Sequence, residues 1–174
     1  MKKLVFAASY LVLAAGALSF VASAQENPAA IPSKLVQIVR SATVQYQNIS
    51  VATAAGYGPF LGCVSGSDHG AMGIHYVNGA LLNGTLDPAH PQALIYEPTN
   101  GQMSLVGVEF IVDSATWLKN NANPPVLEGQ TFQFVDSPNR FNIPSFFELH
   151  VWAWRANPMG SFMDWNDNVT CTGQ

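Results

Sequence analysis

Two hydrophobic periods divide the chain. Over residues 29–55 apolar side chains recur at three- and four-residue spacing, through Leu35, Ile38, Val39, Ala42, Tyr46, Ile49 and Thr53, which predicts one amphipathic helix. Pro32 and Ser33 suit its first turn, and Gly56 is placed to end it in a left-handed cap. Many of its positions are β-branched (Val36, Val39, Thr43, Val44, Ile49, Val51), so intrinsic propensity is low and packing against a sheet must supply most of the stability. After Gly56 the pattern changes to alternation and short apolar runs. Residues 72–78, 93–96, 105–112, 131–135 and 146–154 are rich in Val, Ile, Phe, Tyr and Trp and read as strands. Turn signals separate them, among them Asn78-Gly79, Asn83-Gly84, Asp87-Pro88 and Asn100-Gly101. A short helix is expected from Asn157, with Pro158 in its first turn and Phe162, Met163 and Trp165 along it. One long helix followed by several strands predicts an α+β fold, the helix packed on a mainly antiparallel sheet that can curl into a barrel.

The first residues stand apart from both periods. Lys2 and Lys3 precede an apolar stretch from Leu4 to Phe20, and Ala22-Ser23-Ala24 offers small residues at a cleavage point. This is the layout of a signal peptide over residues 1–24, leaving residues 25–174 as one domain. An uncleaved anchor is the alternative, since a spanning helix needs about 20 apolar residues. The polar breaker Gln25-Glu26-Asn27-Pro28 favours cleavage, with no stable membrane span afterwards and a periplasmic or secreted location.

Composition then narrows the partners. The chain has 174 residues, of which 48% are hydrophobic and 10% charged, ample for a core and unlike a disordered segment. Beyond the export segment five basic residues face eleven acidic ones with no basic cluster, which argues against nucleic acid. Cys63 and Cys171 are the only cysteines. In an oxidising compartment they are expected to form a disulfide, worth up to about 4.7 kcal/mol for a loop near a hundred residues. Gly70-Ala71-Met72-Gly73 lacks dinucleotide spacing, and Ser65, Ser67 and Ser145 lack the context of a nucleophile elbow.

Ionisable groups inside apolar strands carry the chemistry. Glu109 is the one polar side chain in Leu105-Val106-Gly107-Val108-Glu109-Phe110-Ile111-Val112, and His75 lies in Gly73-Ile74-His75-Tyr76-Val77. Glu148 and His150 are two apart in a third strand, so they project to one side, with Trp152 beyond. If the strands share a face, His75, Glu109 and His150 converge. Two imidazoles and a carboxylate suit a divalent transition metal such as iron, zinc or copper, with positions left open for a small-molecule ligand or substrate. Glu148 is then a fourth ligand, a partner that fixes the imidazole, or a general base, and Glu97 and Trp152 are candidates for holding the substrate. The structural alternative is that Glu109 or Glu148 pairs with Arg40, Arg140 or Arg155. His69 is a loop residue that can join the site or stay solvated.

The blocks Gly70-Ala71-Met72-Gly73-Ile74-His75-Tyr76-Val77-Asn78, Leu105-Val106-Gly107-Val108-Glu109-Phe110 and Glu148-Leu149-His150-Val151-Trp152-Ala153-Trp154-Arg155-Ala156-Asn157-Pro158 resemble a family of exported bacterial proteins of unassigned function. The resemblance implies a bacterial, exported, single-domain protein and nothing about substrate. Where that family has Asp-x-His-x-Trp, this chain has Glu148. The residues lead to an exported mononuclear metal-binding protein, an oxidoreductase or hydrolase if it is an enzyme. A metal-free small-molecule module with an aromatic and acidic pocket, or a structural envelope protein, are the alternatives.

Overall fold

A helix start is set by Ser33, whose side chain accepts the Val36 N–H at 3.3 Å. In the computed structural model, which describes residues 32–172, helix α1 (Lys34–Thr43) follows and buries Leu35, Val36 and Val39 against the sheet. The predicted signal peptide, and residues 29–31 of the predicted helix, lie outside the described residues. The single helix expected up to residue 55 is instead broken. Thr43 turns its hydroxyl back onto the Val39 carbonyl and also accepts the Trp154 indole N–H, and a 3-10 turn (Val44–Gln47) follows. Asn48 then caps a separate helix α2 (Ile49–Ala54) by accepting the Ser50 N–H. Local hydrogen bonds from Thr and Asn compete with the helix ladder, and here they win. Gly56 does end the segment, at φ +94°.

The strands are β1 (Gly58–Ser65), β2 (Ala71–Val77), β3 (Ala93–Thr99), β4 (Gln102–Asp113), β5 (Val126–Leu127), β6 (Gln130–Thr131), β7 (Gln133–Val135) and β8 (Phe146–Val151). A short helix α3 (Ser114–Leu118) follows β4, capped by Asp113. Six strands form one sheet in the order β1-β2-β3-β4-β8-β7, every pair antiparallel, with β5 and β6 as a small separate ribbon. The predicted run 131–135 is divided because Gln130–Thr131, continued by the Phe132 N–H to the Pro125 carbonyl, pairs with β5, whereas Gln133–Val135 pairs with β8.

Side chains alternate across this sheet. Leu94, Tyr96, Val108, Phe110, Leu149 and Val151 face the helices and form the main core. The other face is concave. In a flat sheet β2 and β8, with β3 and β4 between them, would lie about 14 Å apart. Here His75 of β2 and His150 of β8 touch at 3.4 Å, so the sheet is strongly curled into half a barrel. The loop after β7 covers this hollow, since the Arg140 guanidinium donates to the Ser65 carbonyl at the end of β1 and lies over the Trp165 ring.

The helix expected from Asn157 is absent, and residues 152–172 form an irregular strap. Its backbone is held by long-range partners: Trp152 N–H donates to Ser161 O, Trp154 and Arg155 N–H to Val106 O, and Asn166 exchanges two hydrogen bonds with Ala71. Those bonds replace the local i to i−4 bonds a helix requires. The Cys63–Cys171 disulfide, with Cα atoms 5.6 Å apart, ties the strap to β1. Among the described residues no helix is long and apolar enough to cross a membrane.

Candidate metal centre

Register brings the three predicted ligands together. Glu109 of β4 stands directly opposite His150 of β8, so both point into the hollow. On β3, Ala93 is the partner of Glu109 and Ile95 the partner of His75. The small side chain at Ala93 leaves space above the middle of the sheet, and the curl swings His75 across it. Two glycines make the backbone fit. A Cβ at Gly73, where φ is +93°, would stand 2.7 Å from the Tyr96 carbonyl oxygen, and one at Gly107 would stand 3.1 Å from the Trp152 ring.

The resulting tips are close. His75 Nε2 lies 3.4 Å from His150 Nε2 and 3.3 Å from Glu109 Oε2, and one ligand atom from each of the three residues lies within 4.8 Å of the others. His75, Glu109, His150 and Glu148 are all buried. No lysine or arginine joins Glu109 or Glu148 among the described residues. Arg155 is bound to Glu97, Arg40 donates to the Ala153 carbonyl, Arg140 donates to Ser65, and Lys34 pairs with Glu128. The arginine pairing weighed from the sequence therefore reaches neither acid of the cluster.

Burial without a cation drives these groups to their neutral forms. Burial holds the His75 pKa down at about 4, and burial together with His75 puts His150 well below the ordinary histidine range. Burial, and then the neighbouring Glu148 carboxyl, raises Glu109 well above the usual carboxylate range. Burial pushes Glu148 up to about 7. The 3.3 Å approach of His75 to Glu109 is thus a contact of neutral groups rather than an ion pair. Neutral imidazoles are the form a metal binds.

Glu148 sits beside the trio, two residues before His150, in a second group with His150 and Asp164. Trp152 lies behind His150, rings stacked at 6.0 Å, its indole N–H donating to the Met163 carbonyl. It packs with Ile95, Val106 and Val169 and backs the imidazole rather than facing the hollow. Glu97 is not brought to the cluster: its carboxylate takes the Arg155 guanidinium and the Thr170 N–H, anchoring the strap. His69 is exposed in its loop, and His90 pairs with Asp87.

Asp164 was not legible as a site residue. Its Oδ1 lies 3.8 Å from His150 Nδ1, a buried nitrogen with no hydrogen-bond partner among the described residues. Asp164 belongs to the irregular strap, where no periodicity marks it. Above the cluster is a cavity of about 50 Å³ walled by Phe60, Val64, Met72, Phe141 and Phe146 among others, enough for an ion and a few waters. No family model matches the chain, and no curated protein or solved structure matches it either.

Proposed function

We propose that this chain is an exported mononuclear metal-binding protein whose centre is His75, Glu109 and His150, with Glu148 alongside as the group that holds and exchanges a proton. One observation carries the reading. Ligand atoms about 2.0–2.1 Å from a tetrahedral ion stand about 3.3–3.4 Å apart, which is the spacing of His75 Nε2 from Glu109 and from His150. Zinc, iron and copper are the ions such a donor set takes. A bound ion supplies Lewis acidity at its open position. Glu148, buried beside the centre in a group with His150 and Asp164, would accept a proton from a water or substrate held there. The disulfide and the resemblance to exported bacterial proteins support a periplasmic or secreted location.

Metal analysis of protein purified without chelators, alongside His150→Ala, tests the centre. The expected result is close to one equivalent of ion in the parent and little in the variant. Equal and negligible metal in both ends the reading. In that case the rival, a metal-free small-molecule module, predicts ligand-dependent thermal stabilisation that survives strong chelator.

A further inference from the structure

Past the trio the concave face is apolar except for Glu148, opposite Ile111, and Asp113, opposite Phe146 at the end of β4. Two residues further along the same strands, about 6.8 Å, His75 is followed by Val77 and Glu109 by Ile111. Phe146 lies in the same direction on β8, four residues before His150. Over this apolar floor lies a chamber of about 430 Å³, within the range that small-molecule sites occupy. Phe60, Val77, Ile111, Ile143 and Phe146 line both this chamber and the cavity over the cluster, so the two spaces adjoin along a shared wall. Polar groups appear only at the far rim, as Asn83, Asp113 and Thr116.

We infer that the two adjoining spaces open into one another and form the binding site for a neutral small molecule with an apolar body in the chamber and a single donor atom directed to the centre. This rests on the metal reading above. Neither cavity has a lysine or arginine in its lining, so an anionic ligand meets three carboxyls, Glu109, Glu148 and Asp113, and no counter-charge. A cationic body would lie against aliphatic and phenyl walls, with the one carboxyl of the chamber, Asp113, at the rim and already accepting the Thr116 N–H, and a charge buried away from it costs several kcal/mol. A neutral apolar body gains from the same walls. The narrow inner cavity admits only the donor end.

The test uses the full chain loaded with cobalt(II) or zinc, metal content measured first, and two probes that offer the same nitrogen donor: imidazole and 4-phenylimidazole. The phenyl compound is expected to bind at least tenfold more tightly, followed by the cobalt visible spectrum. An imidazole bearing a carboxylate in place of the phenyl group gains nothing. Leu82→Asp, at an exposed position that lines the chamber and not the cavity over the cluster, is expected to remove the phenyl preference while leaving metal content and imidazole affinity as they were. Phe60→Ser, on the edge strand, is expected to weaken the phenyl preference as well. A loaded chain that binds both probes equally overturns this inference alone. A chain that takes up no ion overturns the metal reading with it, and the metal measurement reports that before any probe is added.

Discussion

Glu97 and Glu109 are the same residue on adjacent strands, and each is 4% exposed. Their surroundings differ in one respect. Glu97 has a guanidinium and a backbone N–H on its carboxylate, whereas Glu109 has two imidazoles and a second carboxyl. An acid buried with its own cation needs nothing further and serves the fold, here by fastening the strap to the sheet. An acid buried among neutral imidazoles and another acid is stable only as the protonated form or with an external cation. Burial therefore does not mark a functional carboxylate; the origin of the compensating charge does. The chain has few cations to assign, and it spends Arg155 on Glu97.

Exchanging the two environments gives the largest effects. Arg155→Ala leaves Glu97 buried without its cation and is expected to cost about 3 kcal/mol of stability, read by denaturant unfolding, with metal content unchanged. Glu109→Gln is expected to do the reverse: stability in chelator holds or rises, while metal affinity falls about 100-fold, measured by competition with a chromophoric chelator. If Glu109→Gln destabilises the metal-free chain as much as Arg155→Ala does, the two acids are equivalent and the contrast fails.

The contrast sharpens with pH in the metal-free protein. Glu148 is held at about 7 and Glu109 well above the ordinary carboxylate value, so the folded state keeps protons that the unfolded chain loses above about 4.5. Wherever the folded state binds more protons, stability falls as pH rises. The histidines act oppositely, since lowered folded-state pKa values cost stability only as pH falls below about 6.5 toward 4. Below 6.5 the two effects offset; above it the acids act alone. Chelator-treated protein is expected to lose on the order of 1 kcal/mol per pH unit between pH 6.5 and 8, and Glu109→Gln to flatten that slope. A stability that rises over this interval contradicts it.

Much of this arrangement could be read from the residues. Strand alternation gave the faces, and a lone Glu109 or His75 in an apolar run identified itself because nothing else in the run was polar. Glu148 and His150 share a side by simple period-two geometry, and both now stand at the cluster. Strand β1 was missed because Gly58, Pro59 and Gly62 break its propensity; Pro59 is tolerated because β1 lies at the sheet edge. The helix break at Thr43 and the strap after Val151 depend on tertiary hydrogen bonds that no local period encodes. The same holds for the arginines: three candidates faced several acids, and only the folded chain assigns Arg155 to Glu97.

Asp164 is the member of the site that depends wholly on the strap, and it sets the smallest of these effects. An imidazole bound to an ion through Nε2 carries its proton on Nδ1, and a carboxylate accepting that proton fixes the ring and strengthens the ligand. His150 Nδ1 is buried with Asp164 Oδ1 at 3.8 Å, a gap that a small closing of the strap would bring to hydrogen-bonding distance. Gln133 Nε2, donating to the same oxygen at 2.6 Å, steadies the carboxylate from the edge strand. Asp164→Asn is therefore expected to weaken metal binding about tenfold, at the lower end for such partners, while the metal-free chain remains as stable as its parent. In the parent the Nδ1 proton should exchange slowly with solvent once zinc is bound, and in the variant faster, both visible by proton NMR. An affinity within twofold of the parent would show that His150 is held by Trp152 and its strand alone.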